Sequence, residues 1–250
     1  MNIVITPIAG IPSIQPGSDL AVCIGAALDG AGLELRGGDI LVVCQKVVSK
    51  AEGRIVQLGS VSPSAFARQL AAQTSDKDPR IIEVILRETK RIVRMDRGYL
   101  ITETGPGWVC ANAGVDESNT LAPDTVVLLP LDPDASAQRL RAALEPQARG
   151  DLAVIITDTF GRPWREGLMD FALGLAGMEA LLDLRGQHDL NGRELHHTVM
   201  AQADALAAAA GLVMRKGEGI PAALVRGYKF APAPGNARCL IRAAEFDLFR

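Results

Sequence analysis

Several common routes from sequence to function are closed in this chain of 250 residues. The four cysteines, Cys23, Cys44, Cys110 and Cys239, are scattered with no CxxC pair, which argues against a zinc framework and leaves free thiols. Aromatic residues make up only 4% and no basic run occurs, so the stacking platform of a single-strand-binding protein is missing. A net charge of -3 gives no pull toward nucleic acid or membrane. No run of 18 apolar residues is present, and "MNIVITPIAG" lacks the basic region and long apolar segment of a signal peptide. A cytoplasmic protein is expected. The sequence has no GxxxxGK[ST] loop, no GxGxxG after a strand and no GxSxG elbow. Its three histidines lack metal spacing: His196 and His197 fall on a predicted helix, where neighbours point about 100° apart, and a chelating pair needs i, i+4.

Hydrophobic residues, at 48% against 22% charged, are sufficient for a sizeable core. "NIVITPI" alternates and reads as a strand. A helix over roughly 19–31 follows, capped by Ser18 or Asp19. "DILVVCQKVVSKAEGRIVQL" reads as a strand, a polar interruption and a second strand. Ser62 is the expected cap of "SPSAFARQLAAQ", and in "DPRIIEVILRETKRIV" residues Ile81, Ile85 and Ile92 fit one helical face. Residues 99–112 form a hairpin around Gly105-Pro106-Gly107. "TVVLLPL", "DLAVIITD" and "AALVRGY" read as strands, and a helix opened by Asp132 or Asp134 covers "DPDASAQRLRAALEP". Residues 166–182 and 194–213, rich in Ala and Leu, read as helices. The elements mix without strict βαβ alternation, which predicts an α+β or irregular α/β fold rather than a doubly wound sheet. One domain over 1–250 is expected, with room for two subdomains.

Two acidic segments follow apolar runs. "ANAGVDESN" carries Asp116 and Asn119, and "ITDT" carries Asp158 and Thr159. Magnesium or manganese takes one or two carboxylates and completes its shell with water and phosphate oxygens, so such segments suit it. The plainer alternative is an Asx-turn from Asp116 to Ser118 or Asn119, and a helix cap by Asp158. "QKVVSK" places Lys46 and Lys50 after a strand; lysines are usually solvated, but the apolar flanks and the following Gly53 lead to the expectation that one of them faces a phosphate. "MRKGEGIP" (214–221) lets backbone N–H groups approach an anion, or is an ordinary helix end. "AGIPSI" has the same small, Pro-punctuated character. Together they describe a nucleotide triphosphate site built without a P-loop.

In this order, "GIPSIQPGSDL", "CQKVVSKAEGRI", "NAGVDESN", "LPLDPDASA", "ITDTFGRPWREG" and "GEGIPAALVRGY" strongly resemble the coenzyme F-420-0:L-glutamate ligase family over roughly residues 3–230. The resemblance implies an unusual fold of irregular mixed sheets with flanking helices, an intertwined homodimer, and the stand-alone form without a fused nitroreductase domain. It implies γ-linked addition of glutamate to F-420-0, in the biosynthesis of coenzyme F-420, with GTP as co-substrate, magnesium or manganese, two ions, and commonly potassium. Asp116 and Asp158 would hold a first metal and Thr159 would help with a second. Ile11, Pro12, Ser13, Ile14, Gln45, Lys50 and Asn119 would contact GTP. So would the segment Met214, Arg215, Lys216, Gly217, Glu218, Gly219, Ile220 and Pro221. Arg215 stands where the family usually has glycine, and Lys216 fills a position aligned with a family ligand, which leaves Glu218 as the second-metal candidate by chemistry. Arg162 and Arg165 offer fork-shaped donors to a carboxylate or phosphate, and Trp164 is expected to pack.

A carboxylate is a poor electrophile, so the resemblance implies its activation by GTP as an acyl phosphate, which the glutamate amine then displaces. Asp116, Asp158 and Lys50 are the catalytic candidates, the lysine as fixed positive charge. Two rivals make different predictions. A metal-dependent phosphohydrolase would release phosphate without glutamate, and a GTP-binding regulatory module would bind without turnover.

Overall fold

The computed structural model of the protein describes residues 2–73, 77–96, 98–120 and 122–247. In chain order the principal elements are β1 (Val4–Ile8), α1 (Leu20–Gly30), β2 (Asp39–Cys44), α2 (Gln45–Ala51), β3 (Ile55–Gln57), α3 (Ala65–Gln73) and α4 (Pro79–Glu88). Then come β4 (Thr89–Asp96), β5 (Tyr99–Thr104), β6 (Val109–Ala111), β7 (Thr125–Val127), α5 (Pro133–Ala148), β8 (Leu152–Arg162) and β9 (Arg165–Met178). The last are β10 (Leu182–Asp183), β11 (Val199–Met200), α6 (Gln202–Gly211), β12 (Ala222–Arg226) and β13 (Pro232–Ala233). The protein is mixed α+β, as the order of elements predicts.

Six strands form the central sheet in the order β1-β12-β2-β8-β9-β13. Only β2 and β8 run parallel, and every other pair is antiparallel. Strand side chains alternate between faces, so β2 and β8 feed two cores. Leu41, Val43, Val154 and Ile156 pack under α1 and α5, against Ile24, Leu28, Leu140 and Leu144. Ile40, Val42 and Ile155 face the other way, against Leu206, Ala207 and Ala210 of α6. Between α2 and α5 the chain leaves this sheet for smaller clusters, where α3 and α4 pack beside the sheets β4-β5-β6 and β3-β7.

Local chemistry explains the boundaries. Asp19 caps α1, its carboxylate accepting from the Val22 N–H at 3.1 Å. Asp132 caps α5 with Pro133 in the first turn, while Asp134 instead accepts from the Leu175 and Ala237 N–H groups and ties the helix to β9 and the C-terminal segment. Asp78 caps α4. The hairpin around Gly105-Pro106-Gly107 forms as expected.

Five expectations are corrected. Ser64, next to the first helical residue, caps α3 through the Ala67 N–H, not Ser62. "QKVVSKA" is the helix α2. The helix from Pro79 stops at Glu88, because the β-branched run after it pairs with β5, so Ile92 lies on β4. Residues 166–182 hold the long strand β9, which is covered on both faces toward its end and therefore shows no period-2 alternation. Gly174 lets α5 sit directly on it: a Cβ there would lie 2.2 Å from the Pro133 carbonyl oxygen. Finally, only Gln202–Gly211 of 194–213 is helical, and His196 and His197 lie before it in an exposed segment between β10 and β11. Among the described residues, no helix is long and apolar enough to cross a membrane.

Candidate active site

Strand β2 ends at Cys44, opposite Thr157, and the chain turns directly into α2. Beyond Thr157, β8 keeps only its partner β9. That side of β8 opens into a cleft of about 350 Å³. Asp158 is thus part of a continuous strand rather than of a loop, and no helix at 165 exists for it to cap.

Four other segments close the cleft. Ile11, Pro12, Ser13 and Ile14 come from the loop after β1, and Lys46 and Lys50 from α2. Asp116 and Asn119 come from the loop before β7, and Met214, Arg215, Lys216, Gly219, Ile220 and Pro221 from the segment between α6 and β12. Thr157, Asp158, Thr159 and, from β9, Asp170 line it as well. Three residues expected at the site do not line it. Gln45 is buried behind it, where its amide hydrogen-bonds the Asp158 carboxylate and its oxygen accepts from Ser49 Oγ at 2.8 Å. Gly217 lies outside. So does Glu218, whose carboxylate pairs with Arg215 at 2.9 Å and is 53% exposed.

The 116–119 loop is fixed from both sides. Asp116 Oδ1 accepts from the Ser118 N–H at 2.7 Å, so the Asx-turn is real. Its Oδ2 lies 2.6 Å from Lys46 Nζ, so the turn also belongs to the site. Lys50 Nζ donates to the Asn119 carbonyl at 2.7 Å, and Asn119 holds the left-handed backbone (φ 52°) that asparagine tolerates.

The two carboxyls are tuned in opposite directions. Burial pushes Asp158 up to about 6, aided by the charge of Asp116 and opposed by the Thr159 N–H, the Lys216 ammonium and the Gln45 amide. Burial also works to raise Asp116, but its bonds to Lys46 and Ser118 prevail and hold it below the usual carboxylate range. Burial, then repulsion from Lys46, lowers Lys50. Burial pushes the Cys44 thiol up to about 11, which favours the neutral thiol over the reactive thiolate.

Sequence reasoning missed Asp170 and preferred Lys50 to Lys46. Asp170 lay in the stretch read as a helix. Read as a strand, that stretch pairs Asp170 with Thr159, and the Thr159 hydroxyl indeed donates to Asp170 Oδ1 at 2.6 Å. The signal for Lys46 was its place one residue inside α2, in an apolar setting. Arg162 and Arg165 lie at the tip of the β8–β9 hairpin and do not line the cleft. Arg162 donates to the Glu166 carbonyl at 2.8 Å. Trp164, expected to pack, is 79% exposed at the turn. Among the described residues, no three His, Cys, Asp or Glu side chains converge on one point. A cation in the cleft would therefore rest on one or two carboxylates, a hydroxyl, water and substrate oxygens, the sphere that magnesium or manganese takes.

Residues 9–227 match the family model described as F-420-0:gamma-glutamyl ligase. The chain is similar to the coenzyme F-420:L-glutamate ligase of Methanopyrus kandleri, 47% identical with 98% of this chain and 97% of the relative covered. It is 43% identical to the protein of the same name from Methanothermobacter thermautotrophicus, with both chains covered in full. The Archaeoglobus fulgidus protein of that name is 40% identical, over 100% of this chain and 97% of the relative.

Proposed function

The chain belongs to the F-420-0:gamma-glutamyl ligase family, and from that premise we propose that it joins L-glutamate to coenzyme F-420-0 by a GTP-driven amide synthesis in the cleft beside β8. The observation that carries this reading is the meeting of five distant segments in one cleft. Three carboxylates, Asp116, Asp158 and Asp170, stand there with Lys46, Lys50 and Lys216. Such a mixture suits a triphosphate with a divalent cation better than it suits a neutral ligand.

Asp116 and Asp158 are the residues that would hold a magnesium or manganese ion, with Thr159 on the side of a second. The ion would neutralise charge on the transferring phosphoryl group. Lys50 and Lys216 add fixed positive charge around the phosphates. The 9–14 loop and the 214–221 segment would enclose the nucleotide, where the backbone at Gly219, φ 67°, leaves room for close approach.

In the proposed reaction a carboxylate oxygen of F-420-0 attacks the γ-phosphorus, the bond to the β-phosphate oxygen breaks, and GDP leaves. The amine of glutamate then attacks the acyl phosphate carbonyl, phosphate departs and the nitrogen gives up a proton. Among the described residues no histidine lines the cleft, so the proton goes to a carboxylate or phosphate oxygen. Positioning and charge supply most of the rate. A homodimer is part of the reading, supported by apolar side chains exposed near the β8–β9 tip and beside β10 and β11.

The test is a mass-spectrometric ligation assay with F-420-0, L-glutamate, GTP and manganese. A glutamyl mass gain that requires GTP is expected. GTP cleavage without mass gain would replace the ligase by a phosphohydrolase, and GTP binding without cleavage by a regulatory module.

A further inference from the structure

Thr159 and Asp170 face each other directly across the β8–β9 pair, and both line the cleft beside Asp158. A hydroxyl has one hydrogen and two lone pairs. In a cleft that holds carboxylates and receives phosphates, a free hydroxyl would turn its hydrogen toward the nearest anionic oxygen and present no fixed lone pair to a cation. Here the hydrogen is committed: Thr159 Oγ1 donates to Asp170 Oδ1 at 2.6 Å, the range of charge-assisted O–H···O bonds. The acceptor is itself held in place. A Cβ on Gly211, at the end of α6, would lie 2.3 Å from Asp170 Oδ2, so the carboxylate is wedged between its strand and that helix end. Among the described residues, no lysine or arginine forms an ion pair with Asp170. Glu218, the carboxylate expected on this side, does not line the cleft and is engaged with Arg215.

We infer that Asp170 is a positioning residue of the cation site, which takes the hydrogen of the Thr159 hydroxyl and so turns its lone pairs into the cleft. The inference rests on the cation-dependent reading above. Outer partners that orient ligating oxygens typically carry about ten- to hundredfold in metal affinity.

The experiment is titration of the full chain with Mn²⁺, free ion being read by electron paramagnetic resonance, in the presence of a non-hydrolysable GTP analogue. Asp170→Ala should weaken Mn²⁺ binding about ten- to hundredfold, while Asp170→Asn, which still offers an acceptor, stays within about threefold of wild type. Thr159→Val should reproduce the loss from the hydroxyl side, and adding Asp170→Ala to it should cause no further loss. Thr159→Val stands as the test on its own if Asp170→Ala does not fold. Wild-type affinity in Asp170→Ala or in Thr159→Val would overturn the inference. A full further loss in the double variant would also overturn it, since Asp170 would then act on the ion directly. If the wild-type chain itself binds no Mn²⁺, the cation-dependent reading falls first and takes this one with it.

Discussion

Lys46 Nζ lies 2.6 Å from Asp116 Oδ2, and its other two protons go to the carbonyl and hydroxyl of Ser118, each at 2.8 Å. All three donors of the ammonium are used, so a lysine only 8% exposed has a partner for each of its N–H bonds. The pair ties the first turn of α2 to the loop that brings Asp116 and Asn119 to the cleft. The two lysines therefore divide the work: Lys46 secures Asp116, and Lys50 secures the backbone at Asn119.

Asp116→Asn should thus do more than remove a proposed cation ligand. It leaves a buried ammonium without its counter-charge, and breaking such a pair costs about 3 kcal/mol. Lys46→Met combined with Asp116→Asn should recover most of that loss, because the stranded charge is gone. Urea unfolding of the two single variants and the double decides it. Single losses that simply add in the double would show that the contact contributes nothing to the fold.

Asp158 should behave oppositely. Its folded value, about 6, is raised above the ordinary 3.8 mainly by burial. The folded state thus holds the proton more tightly than the unfolded chain. That contribution supports the fold at low pH and is lost as pH rises from about 4 to about 6. At pH 7.5 the cation-free protein carries a buried charge at a cost of about 2–3 kcal/mol. Asp158→Asn should therefore abolish ligation and yet melt several degrees higher than wild type at pH 7.5 without added metal, with the difference vanishing below pH 4. An unchanged melting point at pH 7.5 would mean that the carboxylate pays no burial penalty.

The same shift makes cation binding pH-dependent. A divalent ion competes with the proton on Asp158, whereas Asp116, held below the usual carboxylate range by Lys46 and Ser118, gives up its proton before Asp158 does. Mn²⁺ affinity should rise about tenfold per pH unit below 6 and level off above it, with one proton released per ion at pH 5. A flat profile between pH 5 and 7.5 would remove Asp158 from the coordination sphere.

Most of the lining of the candidate site could be named from the sequence because its residues sit in short, unusual motifs, which carry the family resemblance whether they fold as loop, helix or strand end. The 9–14 loop, Lys50, Asp116, Asn119, Asp158 and Thr159 all reach one cleft. What could not be read were contacts that depend on long-range pairing. The stretch from 166 to 178 has the Ala and Leu content of a helix, but it lies between β8 and β13, where burial on both faces erases alternation. With that strand misread, its partner relationships were lost, and Asp170 with them. Glu218 looked suitable by chemistry alone, yet a neighbouring arginine three residues earlier captures it. Gly174 was the overlooked clue. Gly174→Ala places a methyl against the Pro133 backbone and should cost about 2–3 kcal/mol by thermal unfolding, where a helical position would have gained from alanine.

The proposed dimer makes a last, separate prediction. Leu168, near the β8–β9 tip, is 68% exposed, and Leu190, between β10 and β11, is fully exposed. Exposed leucines scattered singly are ordinary, but Leu168 lies on the part of β9 that pairs with β8 beyond the end of β2, and Met200, on β11, is exposed as well. Light scattering after gel filtration should give a dimer mass for the wild-type chain. Leu168→Asp with Leu190→Asp should give a monomer, because a carboxylate at an apolar interface loses its water without gaining a partner. Neither residue lines the cleft, so each variant's nucleotide binding reports whether the site needs the second chain. A double variant that remains dimeric would place the interface on another face, and a monomeric wild type that ligates glutamate would show that one chain is sufficient.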